Sequence, residues 1–197
     1  MPDLAAALAA IDAANAADPT IEDGRPAALI YGERMSAELD RLFPAASDPL
    51  RIAARGQHVE RWLLPRAAYP EGKAGYLDWR REQGRRHAAR IEGIMAATGY
   101  GADDIAAAER MLRKEGIKRD PEVQALEDVI CFVFLRWYFA GFARDHSGLD
   151  IADIVAKTAR KMSPEGRTKV LDEFELPDAM ADHFRPWNFT NRTFPSP

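Results

Sequence analysis

The chain has 197 residues, enough for one domain with a substantial core and few for two. Its 47% hydrophobic and 29% charged residues, at a mean hydropathy of -0.36, are those of an ordinary soluble globular protein and exclude a disordered or fibrous chain. Lys and Arg number 27 against 31 Asp and Glu, and a net charge of -4 gives no general attraction to nucleic acid or to an anionic membrane surface.

The single cysteine, Cys131, allows no intramolecular disulfide, so a cytoplasmic location is expected. The Ala-rich N-terminal stretch carries Asp3 and Asp12 and no early Lys or Arg, unlike a secretory signal. The longest apolar run contains Arg136 and falls short of the roughly twenty residues a membrane span needs, so no membrane partner is expected.

In chain order, nearly every segment between breakers reads as helix and no β-hairpin signal is found. A first helix runs from about Leu4 to Ala17, and a loop with Asp23-Gly24 follows. Pro26 opens a second, with Leu29, Ile30, Leu39 and Leu42 at helical spacing until Phe43-Pro44. Ser47-Asp48-Pro49 reads as a cap and first-turn proline for a third helix reaching Pro65. After a loop over 66–75, a long basic helix spans about Tyr76 to Thr98 and a fifth about Ala102 to Lys114. Asp120-Pro121-Glu122 launches the next, and Ser163-Pro164-Glu165 caps a later one. The result is an all-α fold, a single domain over 1–197 of about eight helices around a buried central helix. Its core lies at about 26–173, and a Pro-rich tail with Phe184, Trp187, Phe189 and Phe194 packs on it.

The central helix is the run Glu127 to Ala143, apolar nearly all round. On a wheel Asp128 lies within about 40° of Phe132, Leu135, Phe139 and Phe142. A carboxylate on such a face needs an ion pair, hydrogen bonds or a metal, because burying an unpaired charge costs several kcal/mol.

Charge is unevenly spread. Residues 51–90 hold ten basic side chains (Arg51, Arg55, Arg61, Arg66, Lys73, Arg80, Arg81, Arg85, Arg86, Arg90) and four acids (Glu60, Glu71, Asp78, Glu82), ten minus four giving +6. An arginine excess in an acidic protein suggests an anion site, and solvated helix faces with ordinary ion pairs are the plainer explanation. His87 shares a helix face with Tyr76, Arg80, Gln83, Ile91 and Ile94, where the fourth helix passes from core to cleft. His58 sits in a polar knot beside small Ala53, Ala54 and Gly56 on the third helix. With Asp128 these two histidines offer suitable ligands for a divalent metal if the helices converge. His146 and His183 fall in loop and tail. There is no Gly-rich phosphate loop, nucleophile elbow or flavin motif.

A conspicuous His, a second His further on and an Asp opening a late apolar helix resemble the HD superfamily of metal-dependent phosphohydrolases. Asp128 matches the final Asp of that pattern, and His58 or His87 the histidine of its His-Asp doublet. The residues that follow them are Val59 and Ala88, so the doublet Asp is absent; if His58 stands for the doublet, Glu33 takes the place of the pattern's first His, and Glu60 or Glu127 would supply a further carboxylate. The phrases Ala-Arg-Gly-Gln-His-Val-Glu-Arg-Trp, Pro-Arg-Ala-Ala-Tyr-Pro, Gly-Tyr-Leu-Asp-Trp-Arg and Leu-Glu-Asp-Val-Ile-Cys-Phe-Val-Phe-Leu resemble, over almost the whole chain, a family catalogued as a domain of unknown function. That likeness directs attention to Trp62, Arg66, Tyr69, Tyr76, Trp79 and Arg80. Lys161-Met162-Ser163 resembles the signature loop of class I aminoacyl-tRNA synthetases, but the parallel sheet such an enzyme needs is not legible here.

Two expectations follow. In one, His58, His87 and Asp128 hold a divalent metal that activates water on a nucleotide or other phosphorylated small molecule, with Arg61, Arg66 and Arg80 on the phosphate and Tyr69, Tyr76 or Trp79 walling the pocket. In the other, a non-catalytic helical module binds an anionic ligand or protein partner through segment 51–90, and Asp128 pairs with Arg61 or Arg80. A homodimer is compatible with either.

Overall fold

A computed structural model describes residues 1–145 and 148–186. It is all-helical as expected, with ten α-helices among the described residues. They are α1 (Leu4–Asn15), α2 (Ala27–Leu42), α3 (Asp48–Arg55), α4 (Gly72–Ala97), α5 (Ala102–Arg113), α6 (Pro121–Val133), α7 (Phe139–Asp145), α8 (Gly148–Lys161), α9 (Pro164–Glu173) and α10 (Asp178–Ala181). The chain divides into two compact units, Met1–Phe134 and Leu135–Pro197.

The helices start where short polar side chains serve the first orphan amides. Ser47 Oγ accepts from Leu50 N at 3.2 Å, Asp120 from Glu122 N and Val123 N at 2.9 and 3.2 Å, and Ser163 Oγ from Gly166 N at 2.9 Å, each ahead of a first-turn proline. Helix α2 follows Pro26, which has no side chain able to cap. Asp18, buried ten residues upstream, accepts from Ala28 N at 2.9 Å in its place.

The absence of any hairpin signal needs correction. Ile21–Glu22 and Arg25–Pro26 form a two-residue antiparallel pair joined by Asp23-Gly24, both at positive φ (49° and 77°). That is the backbone a two-residue hairpin turn demands, and Asp-Gly supplies it.

The first unit packs α4 on α5, α5 on α3, and α2 on both α3 and α6. Phe132, Met35, Leu39, Ile52, Ile91, Met95, Met111 and Leu126 are among its fully buried side chains. Helix α6 is buried along nearly its whole length, from Val123 through Cys131 to Val133. The apolar run does not continue as one α-helix to Ala143, however. A π-helical stretch occupies Phe134–Tyr138, and Arg136, Trp137 and Ala140 are exposed, so the all-round burial ends at Val133. In the second unit Val155, Ala159, Met162, Val170, Ala181 and Phe184 are buried, and Arg136 pairs with Glu173 at 2.8 Å. Trp187, Phe189, Phe194 and His146 lie outside the described residues.

Helix α3 also ends earlier than Pro65. It closes at Gly56, where a Cβ would lie 2.4 Å from Ile91 Cδ1 of α4. The chain turns through Gly56–Glu60, with Glu60 left-handed at φ 53°, and continues as two short 3-10 turns at Arg61–Leu63 and Arg66–Ala68. His58 therefore stands on a tight turn laid against α4 rather than on a helix.

Candidate functional site

Helix α4 supplies one wall of the site. Tyr76, Trp79, Arg80, Gln83 and His87 recur at helical spacing along one stripe, exposed at Tyr76 (43%) and buried at Gln83 and His87 (2% and 4%). Gln83 Nε2 donates to the backbone oxygens of Arg61 and Leu64 at 3.0 and 3.1 Å, and Trp79 Nε1 donates to Leu64 O at 2.9 Å. These bonds fasten the 3-10 turn to the stripe and set the Arg61 guanidinium over the Trp79 ring, 4.5 Å from its centroid. Arg80 lies 5.9 Å from the Tyr76 ring centre and donates to Tyr76 OH at 3.1 Å.

The two histidines meet where the 56–60 turn crosses α4. His58 stacks on Tyr31 of α2 with ring centres 3.9 Å apart, and its ring lies 6.3 Å from that of His87. Burial, followed by the nearby charge of Arg61, holds the His58 imidazole well below its ordinary range, with His87, Arg80 and Lys114 adding to the effect. His87 is pulled down to about 3, first by burial and then by Arg61, against a hydrogen bond to the Gln57 backbone that favours its charged form. Both rings are therefore neutral near pH 7. Arg61 itself is lowered, first by burial and then by the charge of Arg80. His87 Nε2 is buried and meets no hydrogen-bond partner among the described residues, and the same holds for Gln57 Oε1 on the turn and for Nδ2 of Asn15, a residue whose Oδ1 accepts from Glu60 N at 3.4 Å.

The arginine-rich segment sorts into two classes. Arg51 pairs with Asp40, Arg55 with Asp12, Arg81 with Asp78, Arg85 and Arg86 with Glu82, and Arg90 with Glu60. These are the ordinary ion pairs of a solvated face. Among the described residues Arg61, Arg66 and Arg80 meet no carboxylate. Arg66 is occupied otherwise, donating to the backbone oxygens of Tyr69, Pro70 and Gly72 and so clamping the loop before α4. Arg61 and Arg80 are left with free guanidinium donors.

The carboxylates lie in other company. Asp128 is buried and accepts from Gln124 Nε2 at 3.0 Å, Glu127 pairs with Lys114 at 2.5 Å, Glu60 with Arg90 at 3.1 Å, and Glu33 with Arg25 at 2.5 Å. Among the described residues no group of three or more His, Cys, Asp and Glu side chains is placed to hold a metal ion. The fold thus brings His58 to His87 and Arg61 to Arg80 without gathering Asp128 into a metal-ligating group with the two imidazoles.

A domain of unknown function, DUF4202, matches residues 5–195. This chain belongs to the DUF4202 family. No curated protein and no solved structure matches it. Membership names no activity, so the function of this DUF4202 chain has to be argued from its site. No described helix is long and apolar enough to cross a membrane.

Sequence reasoning missed Tyr31 and gave no role to Gln57 or Gln83. One signal for Tyr31 was available: Gly32 in a helix interior, where a Cβ would lie 2.9 Å from Arg55 O, marks the close approach of α2 to the end of α3 that sets Tyr31 beside His58.

Proposed function

We propose that this DUF4202 protein binds a phosphorylated small molecule at the cluster of Arg61, Arg80, His58 and His87. Arg61 carries the reading. Its half-buried guanidinium is stacked on Trp79, has Arg80 for a neighbour, and finds no protein acceptor among the described residues. Two uncompensated cations held together destabilise a fold unless an anion joins them, and a guanidinium fork matches phosphate oxygens in pairs. A neutral His58 imidazole can add a donor without adding charge. Isothermal titration with inorganic phosphate and glucose 6-phosphate tests it. Arg61→Gln and Arg80→Gln should each weaken binding by about tenfold or more while melting normally. Unchanged affinity in both folded variants would sink the proposal.

A metal-dependent phosphohydrolase of HD type is the second reading, and the observation in its favour is the neighbouring pair His58 and His87 with His87 Nε2 unpartnered. Asp128, Glu33 or Glu60 would join only by leaving the partners described above. Elemental analysis of untagged protein beside the His58→Ala/His87→Ala double variant decides it: about one metal per chain, lost in the variant, supports this reading, and equal metal content in the two removes it.

A further inference from the structure

The numbers and kinds of groups around Arg61 and Arg80 also say which phosphate fits, an inference that rests on the anion-binding reading above. We infer that the recognised group is a terminal phosphomonoester carrying two negative charges, rather than a phosphodiester or a carboxylate carrying one.

The first argument is charge pairing. Six arginines of the 51–90 segment are each matched to a carboxylate, and the acids near the cluster, Glu60, Asp78 and Glu82, are already taken by Arg90, Arg81 and the pair Arg85 and Arg86. Among the described residues Arg61 and Arg80 are the two left without a carboxylate at the site, Arg61 stacked on Trp79 and Arg80 held to the Tyr76 hydroxyl, and the two rings lie 6.0 Å apart. A monoanion would neutralise one of them and leave the other repelled. A dianion neutralises both.

The second argument is the count of acceptors. Among the described residues the Arg61 donors meet no protein acceptor and those of Arg80 meet only Tyr76 OH. A monoester presents three terminal oxygens to this set and a diester two.

The test is titration of the full chain at pH 8 with phenyl phosphate, methyl phenyl phosphate and benzoate, which share a ring and differ in charge and oxygen count. At that pH the monoester is a dianion, its second pKa lying near 6. Wild-type protein should bind phenyl phosphate about tenfold or more tightly than either monoanion. Arg80→Gln should bring the three affinities together, because one cation remains, and Arg80→Lys should restore the preference. Equal binding of phenyl phosphate and its methyl ester to wild-type protein overturns the inference while leaving the anion site of the preceding subsection intact. Failure of all three, and of inorganic phosphate, to bind overturns both. Should a substitution prevent folding, as a melting curve would show, the wild-type ratio alone decides.

Discussion

His87 shows what an ionisable side chain does when it is enclosed beside cations. Its folded value of about 3 lies below the ordinary 6.5, so between those limits the unfolded chain holds a proton that the folded chain refuses. The contribution to stability is therefore complete above about pH 6.5 and is lost as pH falls toward 3, at about 1.4 kcal/mol for each pH unit in that window. Urea titrations at pH 7 and pH 5 should show this loss in the wild type and a shallower one in His87→Gln. An equal slope would mean that His87 is solvated. The residue types of the site were legible in the sequence: an arginine excess, and histidines on a face passing from core to cleft. Their partners were less so. Arg66 reads like Arg61 in the sequence but spends its donors on loop carbonyls, and Tyr31 meets His58 across 27 residues of chain by a contact that no local spacing announces.

Helix starts were readable because a cap is a local event: Ser47, Asp120 and Ser163 each serve amides two or three residues on. Helix ends set by tertiary approach were not. Helix α3 closes at Gly56 because α4 passes so near that Ile91 fills the space of a Cβ. Gly56→Ala should cost about 1–3 kcal/mol through overpacking, and combining it with Ile91→Ala, which frees that space, should cost less than the sum of the two single changes. Denaturant midpoints of the four proteins give the coupling, and strict additivity would show that the turn and the helix do not press on each other. The same approach sets His58 against His87, so Gly56→Ala should also weaken phosphate binding in protein that remains folded.

At the scale of the whole molecule, fold class was legible because repeated 3.6-residue periodicity with proline and glycine breaks admits little else. The hairpin at Asp23-Gly24 was overlooked because its strands are two residues long and show no alternation. The apolar run read as one central helix changes character after Val133 because apolar residues alone do not distinguish a continuous α-helix from one that passes into a π-helical stretch. The DUF4202 match spans both compact units.

Cys131, the chain's one thiol, lies enclosed in α6 among side chains from which water is shut out. A thiol reagent can reach it only when that part of the first unit opens, so the labelling rate is a clock for opening events, free of competing signals from other cysteines. Phosphate that binds the closed form should slow the clock in proportion to its occupancy, and Arg61→Gln should make the ticking indifferent to phosphate.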